Sequence, residues 1–243
     1  EDAKEHVEKN NYELDYRAID EFEDAEIKKE ECEEAKKVLQ PAIEKNDFPK
    51  ILDYFHIKSK EDKDGFYTIS HYDLKHTGRG IKPADLGVNE DAMFAKIKRI
   101  EGKMNLEGSK LTDTGELESI GGYTTIPNCE LKSLGKIKHI KDGLDISNSQ
   151  LTDLGDLEKV YGSFKAEMSG LKSLGKLKYI SGHADFRDSQ ITDLGELEYI
   201  GGSANFNYSP IEDLGNLKFI GGKATFNDKI KSCYKSNSSF INT

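Results

Sequence analysis

Residues 177–220 read LKYISGHADFRDSQITDLGELEYIGGSANFNYSPIEDLGNLKFI, and the second half of this stretch repeats the first. Gly182, Ala184 and Phe186 return as Gly202, Ala204 and Phe206. Ile191, Gly195, Leu197 and Ile200 return as Ile211, Gly215, Leu217 and Ile220. The period extends upstream. Steps of 20 from Gly115 land on Gly135, Gly155, Gly175, Gly195 and Gly215, and steps from Ile120 land on Ile140, Val160, Ile180, Ile200 and Ile220. A fainter unit, with Ile97, Ile100, Gly102, Met104 and Leu106, precedes these in the same register. A fixed period of this length is the signature of a solenoid, in which each unit buries its apolar side only against its neighbours.

Within a unit, G-x-A-x-F alternates small or apolar residues with polar ones, the period of a strand buried on one face. The stretch L-x-x-L-G-x-L-x-x-I has three- and four-residue spacing and predicts a turn or short helical return. The column Ser109, Cys129, Ser149, Ser169, Ser189 and Ser209 places small side chains where strand becomes turn, suited to satisfying backbone groups there. Cys129 reads as a buried stand-in for serine. The returns alternate in charge. Glu116 and Glu118 are followed by Lys136 and Lys138, then Asp156 and Glu158, then Lys176 and Lys178. The alternation points to a 40-residue unit made of two coils, with ion pairs between neighbouring coils.

These motifs resemble the leucine-rich-repeat family, including variants with I-x-G before the strand, as in receptor L-type domains. The resemblance covers residues from about 91 to 230, with serine where the commonest pattern has asparagine. It implies an α/β repeat, a solenoid with a parallel β-sheet on a concave face and short helical or irregular returns. Members of that family are chiefly recognition scaffolds, and no catalytic residues come with the motif.

The ends depart from the repeat. Residues 65–74, GFYTISHYDL, fit a degenerate first rung, with Gly65, Tyr67, Ile69, Tyr72 and Leu74 set against Gly182, Ala184, Phe186, Ser189 and Ile191. A loop at Thr77–Gly80 and a longer helical return from Pro83 to Ile100 follow. Residues 1–60 read as an acidic helical segment that caps the solenoid or binds separately. Its first helix spans 14–38, with Ile19, Phe22, Ile27 and Val38 among its apolar positions, and Pro41 interrupts or ends it. Asp47, Phe48 and Pro49 open a second helix carrying Ile51, Leu52 and Phe55. Residues 231–243 read as a flexible tail. No closing cap precedes it, so the last rung is expected to be open to self-association.

Charge bounds the function. Residues 1–50 hold 17 acids and 9 bases, whereas residues 101–243 hold 20 and 17, and no basic face suited to nucleic acid emerges. No apolar run approaches the length of about 18 residues that marks a membrane span. Three cysteines without C-x-x-C spacing argue against a disulfide framework or zinc site and weakly favour a reducing compartment, with a secreted or surface location left open. The histidines lack ligand spacing, and no nucleophile motif is present, so no catalytic residue, metal or cofactor is expected. The outward positions of the concave strands, Tyr123, Asp145, Lys165, Glu167, His183, Asp185, Arg187 and Asn205, are the expected contacts for a protein partner.

Overall fold

In a computed structural model, described for residues 16–73, 81–227 and 230, the chain winds into a solenoid of parallel strands preceded by a few helices. Each coil contributes two short strands, such as Tyr199–Ile200 and Ala204–Asn205. They enter two different sheets. Among the described residues, sheet A has nine strands and sheet B eight. In both, neighbouring coils pair in parallel one repeat apart, Ile180 beside Ile200 and Asp185 beside Asn205. The single sheet expected from the sequence is therefore two. The pair before each I-x-G, read as part of a return, is itself a strand. The returns of the regular coils are turns, with no helix.

The strands are short because each coil must turn three corners within one repeat. At the first, glycines stack directly on one another. Gly202 N donates to Gly182 O at 2.9 Å, and a Cβ on Gly202 would lie 2.8 Å from the Gly182 carbonyl carbon. At the second, one residue per coil takes a left-handed conformation: Asn128, Asn148, Met168, Asp188 and Tyr208. The serines that follow Asn148, Met168, Asp188 and Tyr208 are buried; the hydroxyls of Ser169, Ser189 and Ser209 donate to the carbonyl three positions back, as from Ser189 to Phe186 O at 2.6 Å, and Ser149 Oγ accepts from Leu151 N. The polar column thus does what its position predicts. Cys129 occupies it, buried, and burial pushes its thiol pKa up. At the third corner, a left-handed glycine donates to the side chain two positions earlier, as Gly195 N does to Asp193 Oδ1 at 2.8 Å.

Asparagine tolerates the left-handed region better than methionine. Met168 sits there with φ of 51° and is largely exposed, where the two preceding coils have asparagine. Met168→Asn is expected to raise unfolding free energy by about 0.5–1 kcal/mol. Urea denaturation measures this, and an unchanged or lower midpoint would show the corner to be unstrained.

The core is one column per inward position. The columns exchange volume: Phe164 with Ala166 in one coil becomes Ala184 with Phe186 in the next, and all four are buried. Such paired changes conserve core volume. The charge alternation closes into ion pairs between coils, Lys136 with Glu116 at 2.6 Å, Lys176 with Asp156 at 2.6 Å and Lys218 with Glu198 at 3.0 Å. All are exposed and contribute little against solvent screening. A two-coil unit also shows in the backbone. Isolated bridges join Ser133 to Asp153 and Ser173 to Asp193, where each serine hydroxyl donates to the aspartate.

The N-terminal end is built differently from its sequence reading. Helix α1 (Tyr16–Glu44) runs through Pro41 to Glu44, although the proline has no N–H to donate to the preceding turn. Ala35, Leu39 and Ala42 are buried, whereas Val38, expected on the apolar face, points outward at 70% exposure. The side chains of Ile19, Phe22 and Ile27 lie outside those described. Helix α2 (Phe48–Tyr54) starts as expected, capped by Asp47, and its Ile51 and Leu52 join the same core as the coils. Strand β1 (Ser59–Glu61) then pairs antiparallel with Tyr67–Ile69 at the edge of sheet A.

The first rung is present, but its register is corrected. Ile69 pairs with Ile100 and Tyr72 with Met104, so Tyr72 occupies the column of Ala184 and not that of Ser189. Ser70 and His71 replace the glycine corner with one residue fewer, which the matched spacing concealed. Leu74 and the Thr77–Gly80 loop lie outside the described residues. The longer return contains a 3-10 turn (Pro83–Leu86) and helix α3 (Glu90–Phe94), and its end, Ile97–Ile100, is a strand of sheet A. Glu90 is buried and accepts hydrogen bonds from the Tyr72 hydroxyl, from Ser109 Oγ at 3.0 Å and from Lys110 N at 2.7 Å. Burial, reinforced by Glu90, pushes the Tyr72 pKa well up. Asp91 holds the next turn through Thr112 and Asp113. Burial works against its ionisation, but these hydrogen bonds outweigh it and lower its pKa.

At the other end, Asn227 Nδ2 donates to Ser209 O and Ile211 O at 2.8 and 2.7 Å, and Ile230 is buried. Part of the last coil is thus covered where the sequence suggested no cap. The expected tail, 231–243, lies outside the described residues.

Candidate functional site

Sheet B brings most of the expected contact residues onto one face. Asp145, Lys165, Asp185 and Asn205 are successive partners in register, forming a single outward column. Tyr123 and His183 flank it on one side, Glu167 and Arg187 on the other, by the alternation of the chain.

Much of this face holds itself together. Asp145 and Asn205 each accept from the amide two positions on, Asp145 Oδ1 from Ser147 N at 3.0 Å and Asn205 Oδ1 from Asn207 N at 3.2 Å. Asp185 does the same for Arg187 N at 3.3 Å. These carboxylates and amides therefore close the strand ends, a task that Asn and Asp perform commonly. Arg187 pairs with Glu167 at 2.9 Å and with Asp185 at 3.3 Å. The Tyr123 ring lies over Gly143, where a Cβ would meet its Cε2 at 2.5 Å. Burial, with Asp145 nearby, raises the Tyr123 hydroxyl pKa. His183 Nδ1 accepts from Ser203 N at 2.8 Å, which fixes the neutral tautomer with the proton on Nε2.

Lys165 stands apart. It is exposed, lies between Asp145 and Asp185 in the column, and makes no ion pair among the described residues. Two shallow hollows flank its coil. One is lined by His183, Asp185, Ser203, Asn205, Lys223 and Thr225, the other by Asn105, Glu107, Thr125, Asp145 and Ser147. In the first, His183 and Ser203 adjoin, with His183 Nδ1 occupied by the Ser203 backbone N–H and not by its hydroxyl. No group of three or more His, Cys, Asp or Glu suited to a metal occurs among the described residues. No helix among them is long and apolar enough to cross a membrane.

Sheet A carries a feature that the sequence reading passed over. Tyr179, Tyr199 and Phe219 are successive outward partners. Their rings stack at 4.8 Å between centroids, within 10° of parallel, and Tyr161 joins Tyr179 at 6.1 Å. The regular spacing of these aromatics was visible, but it falls in the segment read as a return and so pointed to no face.

Compared with known proteins, the chain matches no family model, no curated protein and no solved structure.

Proposed function

We propose that the chain is a non-enzymatic binding module that holds a protein partner across the polar face of sheet B. The observation that carries this reading is the in-register outward column of sheet B. Side chains repeat along it at the sheet spacing, about 4.8 Å, with hollows on both sides of Lys165. An extended polar segment lying along such a column meets alternating acceptors and donors. Because Asp145, Asp185 and Asn205 are already engaged in turns, the free contacts are Lys165, Lys223 and the Nε2 proton of His183. The pattern I-x-G with L-x-x-L-G-x-L supports kinship to leucine-rich repeats, whose usual work is recognition. The competing reading, a subunit stacking through its last coil, is the weaker one because Asn227 and Ile230 lie over part of that coil.

The test uses the full chain to capture partners from its native source, comparing wild type with the double variant Lys165→Glu, Lys223→Glu. Both side chains are exposed and close no turn, so the fold is expected to persist. At least about a tenfold loss of captured partner is expected for two reversed contacts. Undiminished capture by the double variant would remove sheet B as the interface.

A further inference from the structure

The aromatic column of sheet A has no partner within the described chain, and the charges beside it say what fits. One position before each ring or its equivalent stand Glu158, Lys178, Glu198 and Lys218, alternating in sign coil by coil. Two positions after the Tyr179, Tyr199 and Phe219 rings stand Ser181, Gly201 and Gly221, so the corner beside them is low. Tyr161 rises from that corner one coil earlier and is 48% exposed.

We propose that this face of sheet A pairs with a second copy of the same chain, antiparallel, about a two-fold axis lying along the strand direction midway between the Tyr179 and Tyr199 coils. Rotation about that axis sets Tyr179 against Tyr199 of the partner subunit. It also sets Lys178 against Glu198 of the partner subunit and Glu158 against Lys218 of the partner subunit, opposite charges in each case, while Lys159, which holds the ring position one coil before Tyr179, comes to face the ring of Phe219 of the partner subunit. An axis through a coil would instead set lysine against lysine. Tyr161 comes to face the bare corner at Gly221 of the partner subunit, where there is room for a ring. The two ladders share one spacing, so the rings stay in step along the contact. The strip carries a net charge of only +1, from Glu158, Lys159, Lys178, Glu198 and Lys218, which disfavours a highly charged partner. A self-complementary patch of this kind is what an isologous dimer requires. It spans only four coils, roughly 15 Å, so the association is weak and concentration-dependent.

The intramolecular pairs Lys178 with Glu196 at 3.3 Å and Lys218 with Glu198 at 3.0 Å are half exposed and can share their charges across the contact. This proposal is independent of the reading of sheet B, which presents different residues.

Sedimentation of the full chain between about 10 µM and 1 mM tests it. Wild type is expected to shift from monomer to dimer across that range. Lys178→Glu alone and Glu198→Lys alone are each expected to weaken dimerisation by at least about tenfold, since each sets like charges together twice. Mixing the two variants restores opposite charges at both contacts, so the mixture is expected to associate at least as tightly as wild type. Association on mixing cannot arise from a folding defect in either chain. Should a reversal unfold the chain, Tyr161→Lys gives the second reading, with the same tenfold weakening expected. A wild type that stays monomeric, variants that dimerise like wild type, or a mixture that remains monomeric would each overturn the proposal.

Discussion

Phe186→Ala is expected to cost about 3–5 kcal/mol and to uncouple the last coils from those before them. Phe186 is fully buried, with its ring 5.5 Å from Phe164 and 5.6 Å from Phe206, which in turn stacks on Phe226 at 5.5 Å. Its neighbours in the adjoining inward column are Ala184 and Ala204, too small to fill the space it would leave. The cavity therefore persists and adds to the lost transfer energy. Contacts between aromatic rings contribute roughly 0.5–1.5 kcal/mol beyond area alone. Because a solenoid coil touches only its neighbours, the loss falls on the two interfaces of that coil and not on the whole chain. Thermal unfolding followed by circular dichroism should show an earlier first transition. Hydrogen exchange should place it after residue 186. A loss of only about 1 kcal/mol with one unchanged transition would mean the site collapses around the alanine.

The second large effect separates two glycines that look alike in sequence. Gly195→Ala is expected to cost about 3 kcal/mol or more, and Gly175→Ala only about 1 kcal/mol. Both have positive φ, 55° and 53°, so both incur the left-handed penalty. Only at Gly195 does the new Cβ strike backbone, 2.3 Å from Gly175 O. That oxygen is already fixed by a hydrogen bond from Glu196 N at 2.9 Å and has little freedom to yield. At Gly175 nothing lies within 4 Å of the added atom. Gly155, at 2.2 Å from Gly135 O, belongs with Gly195, so the two-coil alternation appears in backbone packing as well as in charge. Equal losses for the two variants in urea denaturation would contradict this account of the third corner.

The period, the inward columns and the polar corner were legible because an in-register parallel stack forces each buried position to repeat every coil. Ile200 must resemble Ile180 since the two are neighbours in one ladder. Corners were less legible. The left-handed position is filled by Asn148, Met168, Asp188 and Tyr208, which share a backbone conformation and no side-chain chemistry. A strand as short as Tyr199–Ile200 shows no alternation to read, so the second sheet and its stacked rings were missed. The first rung was found but misaligned, because Tyr67, Ile69 and Tyr72 fit two registers equally until pairing chose one.

The candidate site was legible only as a set of outward positions. Register in sheet B unites Asp145, Lys165, Asp185 and Asn205, as the period requires. What spacing could not convey is how much of each side chain its own turn consumes. Arg187 and Asp185, the most conspicuous charges, are bound to each other and to the backbone, while plain Lys165 is free to reach a partner. Removing residues 1–60 would not isolate the solenoid cleanly either, since Ile51, Leu52 and Phe55 share its core.

The most direct measurement is hydrogen exchange on the full chain, alone and with a partner isolated by the capture experiment proposed above. Recognition through sheet B predicts slowed exchange upon binding in segments 163–167, 183–187 and 203–207. Slowing confined to residues 28–60, or to the sheet A segments around Tyr179 and Tyr199, would contradict it.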